Sequence, residues 1–195
     1  MTLENKKVGF GLTGSFCTFD KVIVQLEKLK EEGADIYPVF SERSYKTDSR
    51  FGDGKDFLKK VEKITGKKVY TTIVESERFG PSKLLDIFVI APCSGNSLAK
   101  LATGITDSSV LMAAKGHLRN KKPLVIAVST NDALGINLRN IGTLMNSKHI
   151  YFVPFGQDNY KVKENSMVAE FDKIIPTIIE ALNERQIEPV IIGPK

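Results

Sequence analysis

Apolar residues fall along this chain in two kinds of run. Continuous blocks at 7–12, 35–40, 86–91, 124–128 and 150–153 are short and bounded by turn-forming residues, which predicts strands buried on both faces. Between them the apolar positions recur every three or four residues, which predicts helices. The first carries Val22, Ile23, Leu26 and Leu29, with Gly33 where a helix ends in a left-handed residue. Others run over 56–65, through Leu98, Leu101 and Ala102, and through Val110 to Leu118 behind a cap at Thr106 or Asp107. A further helix carries Leu138, Ile141 and Leu144, and a closing one runs from Met167 to Leu182 with a kink at Pro176. Pro38 has no N–H to donate and predicts either a position with an unpaired neighbour, as at a sheet edge, or a strand start. Residues 69–73 read as a short strand, and 41–54 as a polar loop too long for an ordinary connection.

Strand and helix alternate throughout, so the expected fold is α/β: one doubly wound, mainly parallel sheet with helices on both faces, Rossmann-like or flavodoxin-like. A single domain over 1–195 is the expectation for a chain of this length. Ligands in such sheets sit beyond the C-terminal ends of the strands. That rule gathers three turns, Thr13-Gly14-Ser15, Pro92-Cys93-Ser94-Gly95-Asn96-Ser97 and Ser129-Thr130-Asn131, and Ser41 joins them from the end of the second strand. A helix N-terminus offers unpaired N–H groups, so a Gly-Ser turn there suits a phosphate without Lys or Arg. Any one such turn can instead be a helix cap; three on one edge favour a ligand. Gly9, Gly11 and Gly14 have a Gly-x-Gly-x-x-Gly spacing, but the first two fall inside the strand and Ser41 stands where a ribose-binding acid belongs. A mononucleotide fits better than NAD.

Charge and cysteine usage narrow the partners. Lys and Arg number 28 against 23 Asp and Glu, a net +5, but they are interspersed; Arg119, Lys121 and Lys122 form the densest patch. With no Trp and no aromatic-basic alternation, nucleic acid is not an expected partner. Cys17 and Cys93 are too few and too far apart for a disulfide framework or a metal site. No run approaches the roughly 20 apolar residues of a membrane helix, and no signal peptide is read at the start, so a cytoplasmic protein is expected.

Gly11-Leu12-Thr13-Gly14-Ser15, Ala91-Pro92-Cys93-Ser94-Gly95-Asn96-Ser97-Leu98-Ala99-Lys100 and Gly104-Ile105-Thr106-Asp107 resemble the flavoprotein family that includes the FMN-dependent cysteine decarboxylases. The resemblance implies FMN as cofactor. By the same resemblance, Gly14, Ser15 and Ser41 hold its phosphate with Thr13 beside them. Pro92, Ser94 and Asn96 lie against flavin and substrate, and Ser129, Thr130 and Asn131 are near the cofactor. It also implies a closed homo-oligomer, a trimer or a multiple of one. The decarboxylases use a histidine after the second strand and a late Cys-Gly clamp; this chain has no histidine before His117 and no cysteine in 148–158. Decarboxylation of a cysteine-type substrate is therefore the alternative reading. Thr47-Asp48-Ser49-Arg50-Phe51-Gly52, Ser129-Thr130-Asn131-Asp132 and the run from Tyr151 to Asp158 are similar to one branch, found in spore-forming bacteria. That branch pairs with a Rossmann-type A subunit to oxidise a small dihydropyridine dicarboxylate, which implies the mother-cell cytoplasm of a sporulating bacterium.

For that chemistry two carboxylates must be held, and Arg43, Lys46 and Arg50 in the polar loop suit them; the loop is expected to close over the substrate. Asn96 is placed to orient flavin or substrate. Asp132 is the carboxylate beside a cofactor turn that can accept a proton, or else the cap of the helix after it. Cys93, His117 and His149 read as structural. A non-catalytic role, stabilising the A subunit, is a third possibility.

Overall fold

The computed structural model describes residues 2–193; Met1, Pro194 and Lys195, part of the expected 1–195 domain, lie outside them. Seven strands form one sheet: β1 (Lys7–Leu12), β2 (Asp35–Phe40), β3 (Ile87–Cys93), β4 (Leu124–Thr130), β5 (Ile150–Phe152), β6 (Phe155–Gln157) and β7 (Met167–Ala169). Strands β2, β1, β3, β4 and β5 lie side by side in that order and are parallel. The order reverses between β1 and β3, as in flavodoxin-like sheets, and opens a crevice there at the C-terminal strand ends. Nine helices complete the fold among the described residues: α1 (Phe19–Glu31), α2 (Glu42–Lys46), α3 (Gly54–Thr65), α4 (Ile73–Glu77), α5 (Phe79–Ser82), α6 (Gly95–Ala102), α7 (Ser109–Leu118), α8 (Asn137–Met145) and α9 (Ile174–Leu182).

The continuous apolar blocks form the core because both faces of the sheet are covered; every residue of β3 is buried. Fully burying one such side chain, Phe88 for instance, stabilises by about 1.5–3 kcal/mol. Its ring needs space, and β1 supplies it. A Cβ on Gly9 would sit 2.3 Å from Phe88, and one on Gly11 would sit 2.8 Å from Val110. These glycines are packing residues of a strand and take no part in a nucleotide loop. Pro38 is on the edge strand as expected, and its carbonyl accepts from the Tyr70 N–H at 2.9 Å.

The structure corrects several expectations. The polar segment 41–54 contains α2, whose Ser44 hydroxyl donates to the Ser41 carbonyl, and ends at Asp53, which caps α3 by accepting from Lys55 and Asp56 N–H. Residues 69–73 give one bridge, Val39 to Tyr70, before Thr72 and Glu75 form a capping box that starts α4. The cap of α7 is Ser108, neither Thr106 nor Asp107. Strand β3 runs through Pro92 to Cys93, with a register shift against β4 after Ile90. The largest difference is at the end of the chain: Met167–Ala169 is strand β7, and the helix begins at Ile174. Pro176 is the third residue of α9, where its missing N–H has no intrahelical partner to lose, so no kink follows. Because β5 pairs only with Leu124–Ile126 of β4, Ser129 and Thr130 would be left open; antiparallel β7 pairs with them, and β6 with β7.

Candidate functional site

Four parallel strands end on the same side, and their turns are tied together there. The Thr13 hydroxyl donates to the Pro92 carbonyl at 2.8 Å and accepts from the Ser94 N–H at 2.9 Å, clamping the turn after β1 to the end of β3. Ser15 Oγ donates to the Ser129 carbonyl at 2.7 Å, joining the same turn to β4. From β2, the Ser41 hydroxyl meets Ser44 Oγ at 3.1 Å, and Ser44 reaches the Leu12 carbonyl at 3.1 Å. Ser94 caps α6 by accepting from Ser97 N–H.

Two open cavities flank this junction. The smaller, of about 480 Å³, takes Ser41, Arg43, Lys46, Lys100, Asp107 and Ser108 as walls. The larger, of about 840 Å³, takes Ser15, Cys17, Arg50, Ser129, Thr130, Asn131 and Asp132. Gly14, Ser94 and Asn96 line both. Every expected site residue is thus on one wall or the other except Thr13 and Pro92, which lie buried behind the junction and hold it. The three expected carboxylate-binding cations are divided: Arg43 and Lys46 face the smaller cavity, Arg50 the larger.

Charge in the smaller cavity is partly neutralised. Lys46 pairs with Glu42 at 2.5 Å, which holds the ammonium pKa above its ordinary value, and Lys100 pairs with Asp107 at 2.6 Å. Arg43 has no ion-pair partner among the described residues and its stem runs over Gly14, where a Cβ would come within 3.3 Å. In the larger cavity Arg50 lies over the Phe51 ring at 4.9 Å, and Lys163 pairs with Asp158 at 3.0 Å. Burial pushes the Cys93 thiol up to about 12, so it stays a thiol behind the turn. His117 is buried against the Pro123 carbonyl, and neither it nor His149 lines either of these two cavities.

One reading of Asp132 is corrected. The N-cap position of α8 belongs to Ile136, which makes no side-chain cap, and the Asp132 carboxylate instead accepts from Asn137 Nδ2 at 3.2 Å. Residues that the sequence did not point to also line the walls: Cys17, Asn137, Lys163 and Ser166 in the larger cavity, and Ser108 in the smaller. Lys163 and Ser166 carry no local signal, because only the pairing of β7 with β4 brings them over the strand ends.

The chain has a flavodoxin-like sheet with a switch-point rim of small hydroxyl, amide and glycine residues, and it belongs to the Flavoprotein family, whose model matches residues 1–183. The particular proteins it is similar to are more specific. It is 48% identical over 191 residues to the B subunit of dipicolinate synthase from Bacillus subtilis (strain 168), covering 98% of this chain and 96% of that one. The crystal structure of the dipicolinate synthase B subunit from Bacillus halodurans superposes with a TM-score of 0.91 at 48% identity over the whole of both chains. The FMN-dependent cysteine decarboxylase SpaF shares the fold, with a TM-score of 0.67 at 21% identity over 94% of this chain and 99% of its own.

Proposed function

We propose that this chain, taken as one domain over 1–195, is the FMN-binding component of a dipicolinate synthase. In this reading it acts with a Rossmann-type A subunit in oxidising dihydrodipicolinate to dipicolinate in the mother cell of a sporulating bacterium. The supporting observation is that Gly14, Ser94 and Asn96 line both cavities, so one ligand can lie across them. Both volumes fall in the range of about 300–1,000 Å³ usual for small-molecule sites.

The donor set suits a flavin mononucleotide. The Gly14 turn offers backbone N–H donors to a phosphate, Ser15 and Ser41 add hydroxyls once these turn from the Ser129 carbonyl and Ser44, and Arg43 adds a positive charge with no ion-pair partner among the described residues. The wall beside them is kept small: a Cβ on Gly95 would stand 2.6 Å from Thr130 Oγ1. When bound, oxidised FMN supplies an acceptor for a hydride from the substrate ring. The chain's own part is to bind and orient. Thr13 and Pro92 brace the phosphate turn from behind, while Ser94, Asn96, Ser129, Thr130 and Asn131 hold the ring system. Arg43, Lys46 and Arg50 bind carboxylates, and Asp132 accepts the proton that aromatisation releases. Ile136, Leu138 and Met145 expose apolar surface on and just before α8, which suits burial in a homo-oligomer, a trimer or a multiple of one.

The test is a reconstituted assay with the A subunit that follows loss of dihydrodipicolinate with and without FMN. Activity that needs FMN is the expected result. If the flavin-free chain fully stimulates its partner, the role is a supporting, non-catalytic one, and carbon dioxide release from a cysteine-type substrate would assign a decarboxylase.

A further inference from the structure

Two buried asparagines in the first turn of α8 have no part in helix capping. Asn137 and Asn140 are 6% and 5% exposed. Asn140 Nδ2 donates to Asn137 Oδ1 at 3.0 Å, and Asn137 Nδ2 donates to Asp132 Oδ2 at 3.2 Å. Asp132 and Asn137 both line the larger cavity. Buried amides cost stability unless they are hydrogen-bonded, so a chain of three polar side chains, two on α8 and one in the turn before it, needs a reason. The surroundings are shaped to it. A Cβ on Gly95 would stand 2.9 Å from Asn137 Nδ2, and one on Gly135 would stand 2.1 Å from Asp132 Oδ1.

The carboxylate sets the direction of the whole chain of hydrogen bonds. An ionised carboxylate only accepts, so Asn137 must turn its NH₂ to Asp132 and leave its carbonyl inward, where Asn140 donates to it. A leucine, branched at the same carbon but without polar atoms and somewhat larger, would break that alignment at 137 or 140. With one carboxylate oxygen engaged by Asn137, Asp132 retains acceptor positions for a donor in the cavity.

We infer that Asn137 is a positioning residue that holds the Asp132 carboxylate at the cavity wall as the site's proton acceptor, and that Asn140 fixes which way round the Asn137 amide lies. This rests on the reading of Asp132 given above. The experiment is a double-mutant cycle in the reconstituted assay, with FMN affinity and thermal midpoint measured on each variant. Asp132→Asn lowers kcat by about 10²-fold, the usual worth of a general base. Asn137→Leu lowers kcat about tenfold or more through misplacement of that base, with KM and FMN affinity within about twofold of the parent. In the Asp132→Asn background, Asn137→Leu costs nothing further in kcat, because the two act as one unit. A purely structural asparagine would cost the same in both backgrounds, and that result overturns the inference. An Asp132→Asn protein with full activity removes the underlying reading instead, so the two failures are distinguishable.

A second readout needs neither flavin nor partner. In the ligand-free protein the Asn137 side-chain amide protons exchange with solvent at least about tenfold more slowly than those of exposed asparagines, and Asp132→Ala removes that protection. Exchange unaffected by Asp132→Ala contradicts the geometry on which the inference stands.

Discussion

Glycines separate packing from backbone freedom in this molecule. Gly95 begins α6 where α6, β4 and α8 meet, and a methyl group there collides with Thr130 Oγ1 and Asn137 Nδ2. Gly142 lies inside α8 with nothing within 4 Å of a Cβ. We therefore expect Gly95→Ala to destabilise by about 1–3 kcal/mol through overpacking and to weaken flavin binding. Gly142→Ala should stabilise by about 0.5–1 kcal/mol, because alanine loses less backbone freedom in a helix. Urea unfolding of the two variants measures both signs. The turn residues Gly14, Ser15, Ser41, Ser94 and Asn96 were legible in the sequence because small polar residues directly after apolar blocks mark strand ends. Asn137 was not legible. Its spacing from Asp132 acquires meaning only when the 132–136 turn folds both side chains to one cavity.

Helix α7 and strand β4 are joined through His117, whose Nε2–H donates to the Pro123 carbonyl at 2.9 Å. Burial lowers the pKa of this imidazole from 6.5 to about 4, the backbone bond and Asp86 opposing that shift and Lys122 adding to it. The unfolded chain then binds a proton that the folded one refuses between those values. Stability from this group is fully present above pH 6.5 and is lost as the pH falls towards 4, by about 3 kcal/mol at most. His117→Gln should flatten that part of the pH profile of the thermal midpoint; an unchanged slope would place the proton elsewhere. The five parallel strands were readable because each lies on an apolar block bounded by turn residues, and burial on both faces accounts for this in β1, β3 and β4. Strand β6, Phe155–Gln157, holds one large apolar residue and gives no such block. Met167, Val168 and Phe171 also continue the helical spacing of Ile174 and Ile178, and the open edge of Ser129 and Thr130, a long-range demand, decides against helix there.

The whole molecule combines a net charge of +5 with a core that extends through the sheet as one contiguous cluster, and no helix among the described residues is long and apolar enough to cross a membrane. What its shape offers is a rim where the ends of β1, β2, β3 and β4 are stitched by Thr13, Ser15 and Ser44, with open space on either side of Gly14. The general location of that rim followed from the alternation of elements, since a doubly wound sheet has its crevice where the strand order reverses. Its division into two cavities did not, because Arg43 and Arg50 are separated by the fold of 41–54 into a helix and a turn. The most direct measurement is a titration of FMN fluorescence with the purified chain and with Ser15→Asp, whose carboxylate would face both a phosphate and the Ser129 carbonyl. The expected result is binding of one FMN per chain at about micromolar Kd or tighter, and a loss of at least about 100-fold in Ser15→Asp with its circular dichroism unchanged. A parent chain that leaves FMN fluorescence unaltered, or a Ser15→Asp protein that binds as tightly as the parent, would contradict it.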